Sequence, residues 1–600
     1  MTTKDNELAA AIVAEMDANS PRRQTRIFQG SEVARNNSFG TFAQTQINDK
    51  YAHVKLDGIK ESWDEIAWRV AVNVLGAVNA PWSQVAATAK LIQDRVFIPG
   101  GRYLYASGRV KHQTQNCLLL RAGDSSEEWG DLLNRVMRGL MSGAGIGVEY
   151  SALREEGALL KTRGGFAGGP ISLMEAVNDV ARPVRQGGAR RAALWAGLNW
   201  QHPDVFKFIT RKDWSDEIRV LKAKDYNFPA PLDGTNISVG LDDAFFKAFG
   251  HTEHPNYSKA KEVFWSVVQH MLQTAEPGFT INLGKLWRNI LRNACTEVDS
   301  EDDNDICNLG SINLARINST EEMTRAVELA TKFLVAGSVY SDVPYPEVAE
   351  TRKLNRRLGL GLMGVHEFLL KRGEKYGVDN MPALRRWVAL GDLIPTTALT
   401  PYLEIYAQSG LIAQDYCSEK RICRYPIATR AIAPNGTIGI VAETTTGMEP
   451  LFCAAYKRRY REGDGYKFQY VIDPISKRLV QEGVNPKDIE DAYSLAADPE
   501  KRVAFQAYLQ HYVDQSISST INLPAWGSAL NNKDTVKPFG DMLIKYLPKL
   551  RGITTYPDGC RSGQPLNAVS YEEALESEGR IFTEEQQDVC SLTRAGSCSS

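Results

Sequence analysis

In the stretch LRNACTEVDS (Leu291–Ser300), an amide, a thiol and a carboxylate stand two residues apart, on Asn293, Cys295 and Glu297. In an extended segment, side chains alternate faces with period two. These three would share one face, with about 6–7 Å between neighbours by the strand rise. Ala294, Thr296 and Val298 would occupy the other. One face then offers hydrogen-bonding, thiol and acid–base groups together, while the other is small or β-branched. Taken alone, the motif reads as a loop with one buried cysteine.

Glycine-rich stretches supply a second chemical signal. SGAGIGVEYSALREEG (142–157), TRGGFAGGPISLM (162–174) and RQGGARRAALW (185–195) fall close together, interleaved with Arg163, Arg185, Arg190 and Arg191. Glycines let backbone N–H groups approach phosphate, and arginines add charge. The cluster favours phosphate-bearing ligands over tight turns at a barrel rim. Gly143-Ala-Gly-Ile-Gly147 lacks the acidic partner of a dinucleotide fingerprint.

The elements that must position these groups follow from periodicity. ESWDEIAWRVAVNVLGAV and WSQVAATAKLIQDRVF carry helical spacing. From about residue 115, short apolar runs alternate with amphipathic helices, as in an α/β barrel or doubly wound sheet. LGLGLMGVHEFLL reads as a glycine-bordered turn into a helix, and TIGIVAETTTG as a buried strand into a loop. Composition is that of a soluble globular chain, 43% hydrophobic and 24% charged over 600 residues. A net charge of −2 argues against a nucleic-acid binder. No apolar run reaches membrane-spanning length, and the N-terminus has no signal-peptide layout. Nine scattered cysteines, without a Cys-x-x-Cys pair, exclude a disulfide framework and a zinc site; no metal site is expected, and the setting reads as cytoplasmic. No P-loop appears.

Cys117 (TQNCLLLRAGDS) and Cys307 (DICNLGSINLARI) complete a wider pattern. With FIPGGRYLYASGR, SGAGIG, GGPISLM, RQGGARRAALW, HPDVFKFI, TNISVGL, LGLGLMG, IAPNGTIG and DGCRSGQPL in order, the chain from about 95 to 570 resembles the catalytic α chain of ribonucleotide reductases. The resemblance implies an α/β fold: a ten-stranded barrel of two parallel five-stranded halves, threaded by a finger loop. It would occupy 111–575, after a helical region at 1–110 and before a flexible tail at 576–600. It implies radical reduction of ribonucleoside di- or triphosphates to deoxyribonucleotides. A non-radical thiol oxidoreductase and a silent nucleotide-binding protein are the competing readings.

The same resemblance assigns roles. Cys295 matches the thiyl-radical cysteine, Glu297 the general base and Asn293 the amide that orients substrate hydroxyls. Cys117 and Cys307 match the reducing thiols that become a disulfide, which places them on neighbouring strands. Cys590 and Cys598 match the tail thiols that re-reduce this pair, served in turn by a thioredoxin- or glutaredoxin-type reductant. Pro434, Asn435, Gly436 and Thr437 match the substrate-phosphate loop, although Asn435 stands where the family usually has threonine or serine. Asp124, Arg163, Gln186 and Arg190 match the site for dNTP or ATP effectors with Mg, at the two-fold interface of an effector-promoted homodimer. No ATP cone is expected. For the radical source, Tyr556 followed by Pro557 resembles the adenosylcobalamin branch, whereas Ala294 replaces that branch's usual proline. The expectation favours a dimetal centre in a ferritin-like β subunit, with Tyr556 in the radical-transfer path and adenosylcobalamin as the alternative.

Overall fold

The computed structural model describes residues 39–161, 164–186, 190–225, 228–462, 465–481, 483–560, 566–578 and 580–582. The chain divides into two units, Met1–Thr41 and Phe42–Ser600, and every element below lies in the second. Helices form where the apolar spacing predicts them, at α1 (Trp63–Gly76) and α2 (Trp82–Gln93). A capping box starts α1: Ser62 accepts from the Glu65 N–H, and Glu65 accepts from the Ser62 N–H. Both helices pack on the long helix α4 (Thr320–Tyr340). Helix α3 (Ser126–Ser142) ends at Gly143, whose φ of 101° is the left-handed C-cap that glycine adopts without a Cβ penalty.

The centre is a ten-stranded sheet. Five strands run parallel and adjacent: β2 (Cys117–Arg121), β3 (Gly145–Glu149), β4 (Leu194–Asn199), β5 (Thr235–Asp242) and β6 (Gly278–Asn282). The other side holds two parallel pairs, β7 (Asp305–Asn313) with β8 (Leu358–Met363), and β9 (Thr520–Leu523) with β10 (Gly552–Pro557). Antiparallel seams join the sides, β2 to β7 and β6 to β10. Bridges from Leu360 to Arg430 and from Ile432 to Ile517 carry the ladder from β8 through segment 430–432 toward β9. The tenth strand, β1 (Phe97–Pro99), runs antiparallel along Gly310–Ile312 of β7. All nine residues of β7 are buried, so it shows no polar alternation in sequence.

Two local readings change. The run Leu358–Met363 is itself a strand, and the helix after it starts at Val365. The TIGIVAETTTG run forms the short helix α5 (Gly436–Ala442) instead of a strand. A short apolar run does not distinguish strand from buried helix. Here Asn435, at a φ of 58°, turns the chain into the helix. No described helix is long and apolar enough to cross a membrane.

Candidate active site

The Asn-x-Cys-x-Glu row is a hairpin tip, the finger loop that the resemblance implies, and not the extended segment considered from period-two spacing. Leu291–Arg292 pairs antiparallel with Asp299–Ser300. Between them the Thr296 N–H bonds to the Asn293 carbonyl at 3.0 Å, closing a turn over Ala294 and Cys295. Thr296 takes the left-handed region at a φ of 66°. That is a costly conformation for a β-branched residue, of the kind found where surrounding structure enforces it. The Asn293 side chain secures the turn by accepting the Val298 N–H at 3.0 Å.

This finger passes through the inside of the sheet. Leu291 and Val298 pack in one cluster with Cys117 and Leu119 of β2, Cys307 and Leu309 of β7, and Ala431 and Ala433. A Cβ at Gly147 of β3 would stand 1.8 Å from the Arg292 carbonyl oxygen, so only glycine lets the finger backbone through. This corrects the phosphate reading of SGAGIG: Gly143 caps a helix and Gly147 makes room for the finger.

Buried charge clamps the finger's base to both sides of the sheet. The Arg292 guanidinium donates to Asn282 Oδ1 at 2.8 Å, at the end of β6, and burial lowers its pKa to about 10. Asp299 pairs with Arg551 at 3.0 Å and accepts from Asn289 Nδ2 at 2.7 Å. Ser300 donates to Asp305 of β7 at 2.7 Å, and Arg357 bonds both, to Asp305 at 2.8 Å and to Ser300 Oγ at 3.1 Å. Sequence reasoning missed Arg292, Asp299, Asp305, Arg357 and Arg551. Three of them stand inside quoted motifs without an evident role, and the charge pairs of Arg357 and Arg551 join residues 52 or more positions apart.

The structure brings together the five residues assigned to chemistry. Cys117 and Cys307 are register partners across the β2–β7 seam, and neither is in a disulfide. Direct antiparallel partners have Cα atoms about 4.5–5.5 Å apart, within disulfide range. Asn293 Nδ2 donates to Cys117 Sγ at 3.3 Å, and the Cys117 thiol points to Glu297 Oε1 at 3.8 Å. The Cys307 thiol turns to the Asn308 carbonyl at 3.3 Å. Burial raises both thiols well above the ordinary cysteine pKa, and the neighbouring Glu297 adds to this at each. Of residues 291–300, Cys295 alone is partly exposed. A protonated dithiol, a carboxyl group and a half-open third thiol gathered at the finger tip can exchange hydrogen atoms, protons and electrons with a ligand.

The remaining candidates are more dispersed. Asn435 turns its amide away from the loop: its Nδ2 donates to Ser311 Oγ of β7 at 2.9 Å and to the Leu362 carbonyl at 3.4 Å. Pro434 and Gly436 are exposed, and Thr437 is half-buried. Asp124 is held by Arg154, from its N–H at 3.0 Å and its Nε at 2.7 Å. Gln186 pairs with Arg190 in a short antiparallel ladder. Tyr556 lies on β10, half-buried, opposite Asn522 of β9. Arg163, Cys590 and Cys598 lie outside the described residues.

A profile described as "Ribonucleotide reductase, barrel domain" matches residues 115–256, 253–421 and 420–556. The chain belongs to the ribonucleotide reductase family. It is an oxidoreductase of deoxyribonucleotide synthesis. Over 536 aligned residues it is 29% identical to a vitamin B12-dependent ribonucleoside-diphosphate reductase of Mycobacterium tuberculosis (strain CDC 1551 / Oshkosh), covering 82% of this chain and 74% of that one. The enzyme of the same name from Thermoplasma acidophilum is 26% identical, over 81% of this chain and 66% of its own. A putative adenosylcobalamin-dependent ribonucleoside-triphosphate reductase of Mycobacterium phage D29 is 24% identical, over 89% and 95%. All three relatives are named for vitamin B12 or adenosylcobalamin, which overturns the favoured dimetal centre in a partner subunit. Tyr556-Pro557 is the signal that agrees with these names; Ala294, in place of the branch's usual proline, pointed the other way.

Proposed function

We propose that this ribonucleotide reductase works by a thiyl radical on Cys295 and is loaded by adenosylcobalamin. Support comes from one juxtaposition: Cys117 and Cys307 in direct register, with the Asn293 amide and the Glu297 carboxylate on Cys117. Cys295 takes the 3′-hydrogen of a bound ribonucleotide. Glu297 accepts the 3′-hydroxyl proton, and Asn293 orients the ribose hydroxyls. The two buried thiols protonate and reduce the 2′ side and end as a disulfide. Their raised pKa values suit this, because a thiol held protonated can donate its proton to a leaving hydroxyl. The buried side chains packed around the finger limit the access of water to the radical.

Adenosylcobalamin, when bound, supplies the radical that oxidises the Cys295 thiol. The residues fit such a group: Cys295 is the open member of an otherwise buried finger, beside the small Ala294. From Gly552, a built Cβ of which lies 3.8 Å from Thr296 Oγ1, β10 leads to Tyr556 and Pro557, the pair resembling the cobalamin branch. Cys295 and the end of β10 at Pro557 are what we assign to meeting it.

The substrate is a ribonucleoside di- or triphosphate, its phosphates taken by the exposed backbone of Gly436 and Thr437 next to Pro434, with Asn435 holding the loop to β7. Effector nucleotides with Mg bind at Asp124, Arg163, Gln186 and Arg190 and favour a homodimer. Cys590 and Cys598 pass electrons from a thioredoxin-like reductant. Assay of the purified chain with adenosylcobalamin, a dithiol and no other protein tests the reading. Deoxynucleotide formation is expected, and Tyr556→Phe should stay active, since no relay from a partner is needed. Activity appearing only on adding a metal-bearing protein would sink the cobalamin assignment.

A further inference from the structure

Resting on the assignment of Cys117 and Cys307 as the redox pair, the two thiols are not equivalent. Cys307 has Cys117 on one side and β8 on the other. Asn308 pairs with Leu358 in parallel register, so one residue back along both strands Arg357 stands level with Cys307. Its guanidinium is 2% exposed and is fixed by Asp305 and Ser300. Asp305 precedes Cys307 by two residues, on the same face of β7. That carboxylate is heavily used: besides Arg357, it accepts from the Ile306 N–H, Ser300 and Asn355. Among the described residues, no such cation stands beside Cys117. It faces the Glu297 carboxylate and the finger tip.

We propose that Arg357 makes Cys307 the leaving sulfur when the Cys117–Cys307 disulfide is re-reduced, so that an incoming thiolate attacks Cys117. The thiolate of an external dithiol forms an S–S bond to Cys117 Sγ. The Cys117–Cys307 bond breaks, and its electron pair departs on Cys307 beside the guanidinium. The dithiol's second sulfur then displaces Cys117 and closes the reductant's own disulfide. The two protons of the dithiol end on Cys117 and Cys307. The better-stabilised thiolate is the better leaving group. Burial raises both thiols. At Cys307 the Arg357 charge is the strongest opposing influence, with Asp305, Glu297 and Asp514 adding to the rise. At Cys117, Glu297, Cys307 and Cys295 all add, and the Asn293 amide alone opposes. Arg357 is thus a positioning residue that acts through Cys307.

The test uses the full-length enzyme after one turnover without reductant. It is exposed briefly to cysteamine, quenched in acid with an alkylating agent, and mapped by peptide mass spectrometry. A mixed disulfide on Cys117, with the probe or with another cysteine of the chain, should exceed that on Cys307 about tenfold. Predominant modification of Cys307, or equal modification, would overturn the inference and leave the redox pair standing. Absence of any Cys117–Cys307 disulfide before the probe is added would overturn both. In the reduced enzyme, the pH midpoint of Cys307 alkylation should rise by about one unit in Arg357→Gln and return in Arg357→Lys. The Cys117 midpoint should not move. Equal movement of both midpoints would mean that Arg357 acts on the fold alone, and would also overturn the inference.

Discussion

The finger at 291–300 and the hairpin at 455–472 are both antiparallel, but they are held by different forces. The second pairs Ala455–Glu462 with Gly465–Ile472 over eight consecutive partners and gains strands Leu566–Ala568 and Ile581–Phe582 on its edges. Ala455 and Ile472 bury a small face with Ala574. The finger has two paired positions on each side. A ladder that short has no stability of its own. Its position comes from Gly147 and Asn282 on one side, and from Asp305, Arg357 and Arg551 on the other. A regular ladder buys local stability; a clamped loop places one sulfur among four partner groups. Perturbing the finger should therefore cost activity first, and perturbing the outer hairpin should cost little of either.

The largest effect is expected at the tip. Cys295→Ser should abolish nucleotide reduction while leaving substrate binding and thermal unfolding near wild type, because a serine O–H bond is too strong to be broken to place a radical on that side chain. Substantial turnover by this variant would remove Cys295 from the chemistry. Next is the passage for the finger. Gly147→Ala sets a Cβ against the Arg292 carbonyl, which backbone movement alone can relieve. An ångström of finger displacement should lower kcat about 10²-fold, with a stability loss of about 1–3 kcal/mol. An unchanged kcat would show that the finger does not depend on that approach.

Asp299→Asn leaves Arg551 buried without its counter-charge. Breaking such a pair typically costs about 3–5 kcal/mol, read as a lower denaturation midpoint, with a smaller fall in kcat than for Gly147→Ala. The smallest effect belongs to the outer hairpin. Asp473 follows Ile472 directly, and burial pushes its carboxyl up to about 6. With the folded pKa above the unfolded one, the folded state holds more protons between about pH 4 and 6. This contribution is present below that window and is lost as pH rises through it. Asp473→Asn should flatten that part of the stability–pH profile and leave kcat unchanged. A fall in kcat would tie the outer hairpin to the site and weaken the contrast between the two.

The family of this chain, and the residues proposed for its chemistry, were legible from side-chain type and order. Asn293, Cys295 and Glu297 in a row, with Cys117 and Cys307 in their own blocks, marked the groups we propose to react, and periodicity located α1 and α2. Period-two reasoning misplaced the row as an extended face because it sees neighbours along the chain and not what encloses them. What tertiary structure alone decided is how the groups meet: a turn forced through the left-handed region at Thr296, a glycine opposite Arg292, and arginines brought from 357 and 551 to the finger's base. Those contacts join residues dozens to hundreds of positions apart. Their energies depend on burial that exists only once both sides of the sheet have assembled, so no local pattern records them.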